Sequence, residues 1–121
     1  MTPNVYSDIS AERSVIGAIV QDSTCLDLLD LLTPEDYTSP EYAAIHQTMV
    51  KLRAQRQPVD LQTVSSALPV DMQRNGAAIL LEAMRSVPTT ANAHSYADIV
   101  KERSRRRAVK RICEDAIRQL E

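Results

Sequence analysis

The chain has no phenylalanine and no tryptophan, and its 121 residues include only two glycines, Gly17 and Gly76. Its core must therefore be built from Leu, Ile, Val, Ala and Met together with four tyrosines. Scarce glycine argues against an all-β domain, which needs many tight turns. It also excludes a phosphate-cradling loop, which needs closely spaced glycines followed by a lysine. No apolar run approaches about eighteen residues, so no helix is expected to span a membrane. The start, Met1-Thr2-Pro3-Asn4, lacks the basic residues and apolar stretch of a secretory signal, and a cytoplasmic chain is expected. Cys25 and Cys113 are isolated, without metal-ligand spacing, and read as reduced packing residues. His46 and His94 lie too far apart in sequence to suggest a ligand pair. Ser14 has no base close to it in sequence, and Glu35 and Asp36 already have a helix-capping role. No catalytic, cofactor-binding or metal-ligating residue is expected, and the chain alone is not expected to be an enzyme.

What remains is helical periodicity punctuated by six prolines. Residues Met1–Tyr6 carry no periodicity, and residues 1–9 read as a flexible arm. Asp8 or Ser10 can cap a helix over Ala11–Gln21, in which Gly17 and Ala18 leave room for a second helix to approach closely. Ser23 or Thr24 can cap a short, deeply buried helix over Cys25–Leu32. Thr33-Pro34-Glu35-Asp36 combines a capping oxygen, a proline at the first helical position and two carboxylates facing unpaired amides, and predicts a single turn. Pro40–Arg56 follows, with a stripe at Tyr42, Ile45, His46, Met49, Leu52 and Arg53; His46 reads as a packed histidine within it. Asp60 caps Leu61–Leu68. The stretch Asp71–Asn75 shows no clear pattern, and Gly76–Arg85 is helical again, with Leu80 on its apolar face. No strand-like alternation competes, so the fold class is all-α: a compact bundle of about six helices over residues 10–100. Leu28, Ile45, Met49 and Leu80 are expected in its core.

The chain is organised around its last helix, expected from Thr90 to Glu121 with Thr89 or Thr90 as its cap. Tyr96, Ile99 and Val100 form one apolar face. Val109, Ile112, Cys113, Ala116, Ile117 and Leu120 form a second, displaced roughly 120° around the axis. Two apolar faces imply two tasks: the first half closes the bundle, and residues 101–121 leave it to meet another surface. A bent core helix is the plainer alternative. Charge changes along the same helix. Residues 1–100 carry 6 basic and 12 acidic residues, a net of −6, whereas 101–121 carry 8 basic and 4 acidic, a net of +4. Lys101, Arg103, Arg105, Arg106, Arg107, Lys110 and Arg111 are thus a candidate basic contact surface. No aromatic residue interleaves with the arginines to stack on bases, which weighs against nucleic acid.

Four motifs in order resemble the N-terminal domain of the bacterial replicative hexameric DNA helicase, the DnaB family. They are Ser10-Ala11-Glu12-Arg13-Ser14-Val15-Ile16-Gly17, Leu32-Thr33-Pro34-Glu35-Asp36-Tyr37, Gln57-Pro58-Val59-Asp60-Leu61-Gln62-Thr63-Val64, and Val87-Pro88-Thr89-Thr90-Ala91-Asn92 with Tyr96-Ala97-Asp98-Ile99-Val100. The sequence departs from the family at Ala77, Ala78 and Ile79, where paired glycines and an aromatic are usual, which puts the turn before the fifth helix in question. The resemblance implies a non-catalytic assembly and docking domain. ATP and Mg would belong to a separate motor domain, as the full-length family is an ATP-dependent helicase. It implies that the final helix is the first arm of a helical hairpin, that Arg105–Arg107 form a solvated neck, and that hairpins pair between subunits into a collar of dimers. Primase would dock on that collar, a helicase loader is a further candidate partner, and DNA would be met only through the full assembly. Two other readings use the same residues: a free-standing phage- or plasmid-type binding protein that engages a helicase or primase, and a small nucleic-acid-binding module built on residues 101–111.

Overall fold

The computed structural model describes residues 5–121. Among them there are six α-helices and no strand: α1 (Ile9–Gln21), α2 (Leu28–Leu31), α3 (Pro40–Ala54), α4 (Leu61–Ala67), α5 (Val70–Arg85) and α6 (Ala93–Gln119). Two single 3-10 turns, Ser23–Cys25 and Pro34–Asp36, flank α2. The fold is all-α, as expected. α1 runs through the centre, packed chiefly against α5 and α6, and residues Val15, Ile16, Ala18 and Ile19 are fully buried. Leu28, Ile45, Met49 and Leu80 are likewise fully buried.

The helix starts follow from local side-chain chemistry. Asp8 accepts the Ala11 amide at 3.0 Å and starts α1 two residues earlier than expected. Ser39 accepts the Tyr42 amide at 3.2 Å to cap α3, and Asp60 and Thr63 cap α4 reciprocally. Glu12 adds a cap from a distance. Its carboxylate is 1% exposed and accepts from the Thr38 amide at 2.9 Å, the Thr38 hydroxyl at 2.6 Å and the Ser39 amide at 3.1 Å. This ties α1 to the start of α3.

Three expectations are corrected. The segment Cys25–Leu32 is not one helix but a 3-10 turn and a short α2, and Asp22 caps it in place of Ser23 or Thr24. Cys25, Leu28, Leu29 and Leu32 face inward, whereas Leu31 lies off that row and is 51% exposed. α5 is continuous from Val70 through Gly76, so no turn precedes its second half. Gly76 is buried, and a Cβ there would lie 2.3 Å from Leu68 Cδ1, so that side chain would have to shift. α6 begins at Ala93 after Asn92. Thr90 is occupied elsewhere, donating its hydroxyl to Asp22 at 2.6 Å, and Thr89 accepts the Ala91 amide in the preceding turn.

α1 and α5 cross closely at Gly17. A Cβ on Gly17 would stand 2.1 Å from the Ala83 carbonyl oxygen, so only glycine permits this crossing. His46 is fully buried; its Nδ1 lies 2.9 Å from the Tyr37 hydroxyl and its Nε2 has no partner among the described residues. Burial lowers the His46 pKa, partly offset by the Leu32 carbonyl and the Asp36 charge. Burial raises that of Tyr37, so the phenol stays protonated. His46 is a neutral packing residue.

Candidate assembly and docking surface

α6 spans 27 residues, about 40 Å at 1.5 Å per residue. Its first half closes the bundle through Ala93, Ala97 and Val100, all buried, with Tyr96 and Ile99 half-buried beside them. The same row continues past the last apolar residue as Lys101, Ser104 and Arg107, which dock on the Pro34–Asp36 turn. Asp36 receives them. Its carboxylate is 5% exposed and accepts from the Ser104 hydroxyl at 2.7 Å, Lys101 Nζ at 3.2 Å and the Thr33 amide at 2.8 Å. Burial pushes the Asp36 pKa up, but the bonds from Ser104, Thr33 and Lys101 outweigh it and hold the acid below its ordinary value. Arg107 spans three elements, donating to the Tyr6 carbonyl at 2.7 Å and the Asp36 carbonyl at 2.8 Å.

The seven basic residues therefore do not form one track. Lys101 and Arg107 face inward. Arg106 pairs with Glu102 at 2.6 Å and donates to the Val5 carbonyl at 3.2 Å. Lys110 stands 4.4 Å over the Tyr6 ring centroid and 3.8 Å from Glu114. Arg103 is half-buried, with Nε unpartnered among the described residues. Arg105 and Arg111 are exposed and make no ion pair among the described residues. The expected solvated neck is thus corrected: Arg107 anchors it, because its guanidinium reaches two carbonyls at once. Met1–Asn4 lie outside the described residues, but the Val5 and Tyr6 carbonyls are held by Arg106 and Arg107.

Beyond Arg107 the helix projects away from the bundle, with Lys110 still over the Tyr6 ring. From Ala108 to Glu121 every residue is exposed except half-buried Asp115. Val109 is 55% exposed, Ile112 67%, Ile117 58% and Leu120 87%, and Cys113 and Ala116 are exposed with them. The six stripe residues point roughly 170° away from the row Ala93–Ala97–Val100–Ser104–Arg107 at 3.6 residues per turn. The faces are more nearly opposite than expected, because the buried row centres on Ala93 and Ala97 rather than on Tyr96 and Ile99. The second stripe is thus exposed rather than packed into the core, unlike in a bent core helix. Asp36, Glu12 and the Val5–Tyr6 anchor were not singled out as functional in the sequence. The i, i+3, i+6 spacing of Lys101, Ser104 and Arg107 after Val100 was the available signal for Asp36.

Among the described residues no cluster of His, Cys, Asp and Glu is arranged to hold a metal ion, and no helix is long and apolar enough to cross a membrane.

Residues 4–102 match the family described as DnaB-like helicase N terminal domain. The chain belongs to this family. It is 38% identical over 101 residues to the replicative DNA helicase DnaC of Bacillus subtilis (strain 168), covering 80% of this chain and 22% of that helicase. It is 36% identical over 100 residues to the replicative DNA helicase DnaB of Geobacillus stearothermophilus, covering 79% of this chain and again 22% of the helicase. The chain thus spans about a fifth of the length of these relatives. The crystal structure of the N-terminal domain of DnaB helicase from Mycobacterium tuberculosis superimposes with a TM-score of 0.72 at 30% identity, covering 82% of this chain and 72% of that one. The N-terminal domain of DnaB helicase from Helicobacter pylori, described together with its interactions with primase, gives a TM-score of 0.79 at 21% identity, covering 92% and 89%. The second likeness is one of fold. The DnaB-type match ends at Glu102, so most of the basic segment and all of the stripe lie beyond it.

Proposed function

We propose that this chain is the non-catalytic assembly and partner-docking domain of a replicative DNA helicase, acting in DNA replication in the cytoplasm. Residues 10–100 form the globular head, and 101–121 form the arm through which the head joins another helix, either a second copy or the return helix of a hairpin. The carrying observation is the stripe Val109–Ile112–Cys113–Ala116–Ile117–Leu120, exposed on an anchored helix. A contiguous apolar strip of this kind marks an interaction surface. Burying Ile112, Ile117 and Leu120 contributes about 1.5–3 kcal/mol each, enough to offset a share of the roughly 4–15 kcal/mol lost on association. A dimer across the stripe is the unit from which a ring collar is built.

Primase is the partner this reading places on the collar, supported by family membership and by the Helicobacter pylori relative's description. A helicase loader is a further partner, and DNA is engaged only by the whole assembly. ATP and Mg are the business of a motor domain; this chain has only Gly17 and Gly76, both buried in helices, and so no phosphate-cradling loop. The test is calorimetric titration of the chain with primase from the same source and, separately, with Mg·ATP. Saturable primase binding and silence toward nucleotide are expected. Stoichiometric nucleotide binding, or no primase binding by an associated form of the chain, contradicts the reading.

A further inference from the structure

A groove of about 810 Å³ lies where the Val5–Tyr6 segment crosses the root of the α6 arm. Its lining combines Val5, Tyr6, Val109 and Cys113 with the cations Arg105, Arg106 and Lys110. The one carboxylate in its lining, Glu102, is already bound by Arg106 at 2.6 Å. Lys110 stands 3.8 Å from Glu114, so the groove presents an apolar trough with a net positive lining in which Arg105 is the cation without an ion pair among the described residues. Its size is that of a site for a few side chains rather than a whole domain face.

We propose that this groove receives an acidic amphipathic helical segment of another protein, its apolar side chains on Val5, Tyr6 and Val109 and its carboxylates on Arg105, Arg106 and Lys110. Apolar anchors in a groove with charges on the rim are the pattern by which amphipathic helices are recognised. Nucleic acid fits less well. A strand needs cations spaced along a track and aromatic faces for its bases. Here Arg105 and Arg111 point about 120° apart around the helix, and Lys110 stands over the single aromatic ring. The groove shares Val109 and Cys113 with the exposed stripe, but Ile112 and Ile117 lie outside its lining, and substitutions there separate the two surfaces.

The probe is a labelled helical peptide with leucines at i, i+3, i+4 and i+7 flanked by glutamates. It is titrated against the whole chain by fluorescence anisotropy and by amide shifts in NMR, beside its lysine-flanked counterpart and a single-stranded oligonucleotide. Expected are binding of the glutamate peptide that weakens with salt, amide shifts centred on Tyr6, Arg105 and Val109, and roughly tenfold or greater loss in Arg105→Glu with Lys110→Glu. The Ile112→Asp, Ile117→Asp variant should keep the binding even where it loses self-association. No binding, equal binding of the lysine peptide, tighter binding of the oligonucleotide, or loss of binding in the Ile112→Asp, Ile117→Asp variant would each overturn the proposal.

Discussion

Arg107 donates to the main-chain oxygen of Asp36 at 2.8 Å across 71 residues of sequence. The same guanidinium reaches the Tyr6 carbonyl at 2.7 Å. One side chain thus fixes the angle at which α6 leaves the bundle, by satisfying two carbonyls that would otherwise need water. Arg107→Ala should lower stability by about 1–3 kcal/mol, the range for a charge-assisted bond whose acceptor is left unpaired. Arg107→Lys should recover only part of it, because an ammonium lacks the planar fork. Urea unfolding gives the stability, and distances between spin labels on the head and the tip of α6 should broaden in Arg107→Ala. An unchanged distance distribution would show that the helix direction is set elsewhere.

Gly17→Ala should be among the costliest small substitutions in the chain. The added Cβ would lie 2.1 Å from the Ala83 carbonyl oxygen, which is backbone and has no rotamer to yield. α1 and α5 must separate, at about 1–3 kcal/mol or more. Thermal unfolding checks it; a melting temperature equal to wild type would mean that the two helices are not packed this closely.

Leu28→Ala and Leu80→Ala should each cost about 2–5 kcal/mol, since both side chains are fully buried. Losses below about 1 kcal/mol at both sites would be incompatible with a core centred there.

Acid should destabilise the chain in two stages. Burial holds the folded His46 pKa below its ordinary 6.5, so as pH falls the unfolded chain takes up this proton first. Stability is full above 6.5 and declines as pH falls toward the folded value. Asp36 is held below its ordinary 3.8, so its contribution is present above 3.8 and is lost as pH falls through the folded value. His46→Leu should remove the first stage and leave the second. Urea midpoints measured across this range decide it, and a midpoint that stays flat down to pH 3.8 would contradict the assignment of His46.

The periodic apolar rows were enough to read the helices and the core: Leu28, Ile45, Met49 and Leu80 lie where their spacing put them. The close crossing at Gly17 was legible too, because two small residues in an apolar face have few other uses. Helix starts were harder. Asp22, Ser23 and Thr24 are all capping residues, and the choice among them rests on Thr90, which binds Asp22 from 68 residues away. The stretch before Gly76 showed no clear pattern, yet α5 runs through it, with Gly76 packed close against the Leu68 side chain. At the candidate surface, periodicity marked out a row that the structure leaves exposed, whereas charge did not separate the basic residues that face outward from those that turn inward. Charge alone does not reveal that Lys101 and Arg107 turn inward to Asp36, since a polar residue facing its own bundle looks in sequence like one facing water.

The exposed stripe on α6 is proposed to join another helix. Sedimentation velocity of the wild-type chain beside Ile112→Asp with Ile117→Asp, over a wide concentration range, tests it most directly. We predict that the wild-type sedimentation coefficient rises with concentration, while the variant keeps its helix content and stays monomeric. A wild-type chain that remains monomeric throughout, or a variant that associates as strongly as wild type, would contradict it.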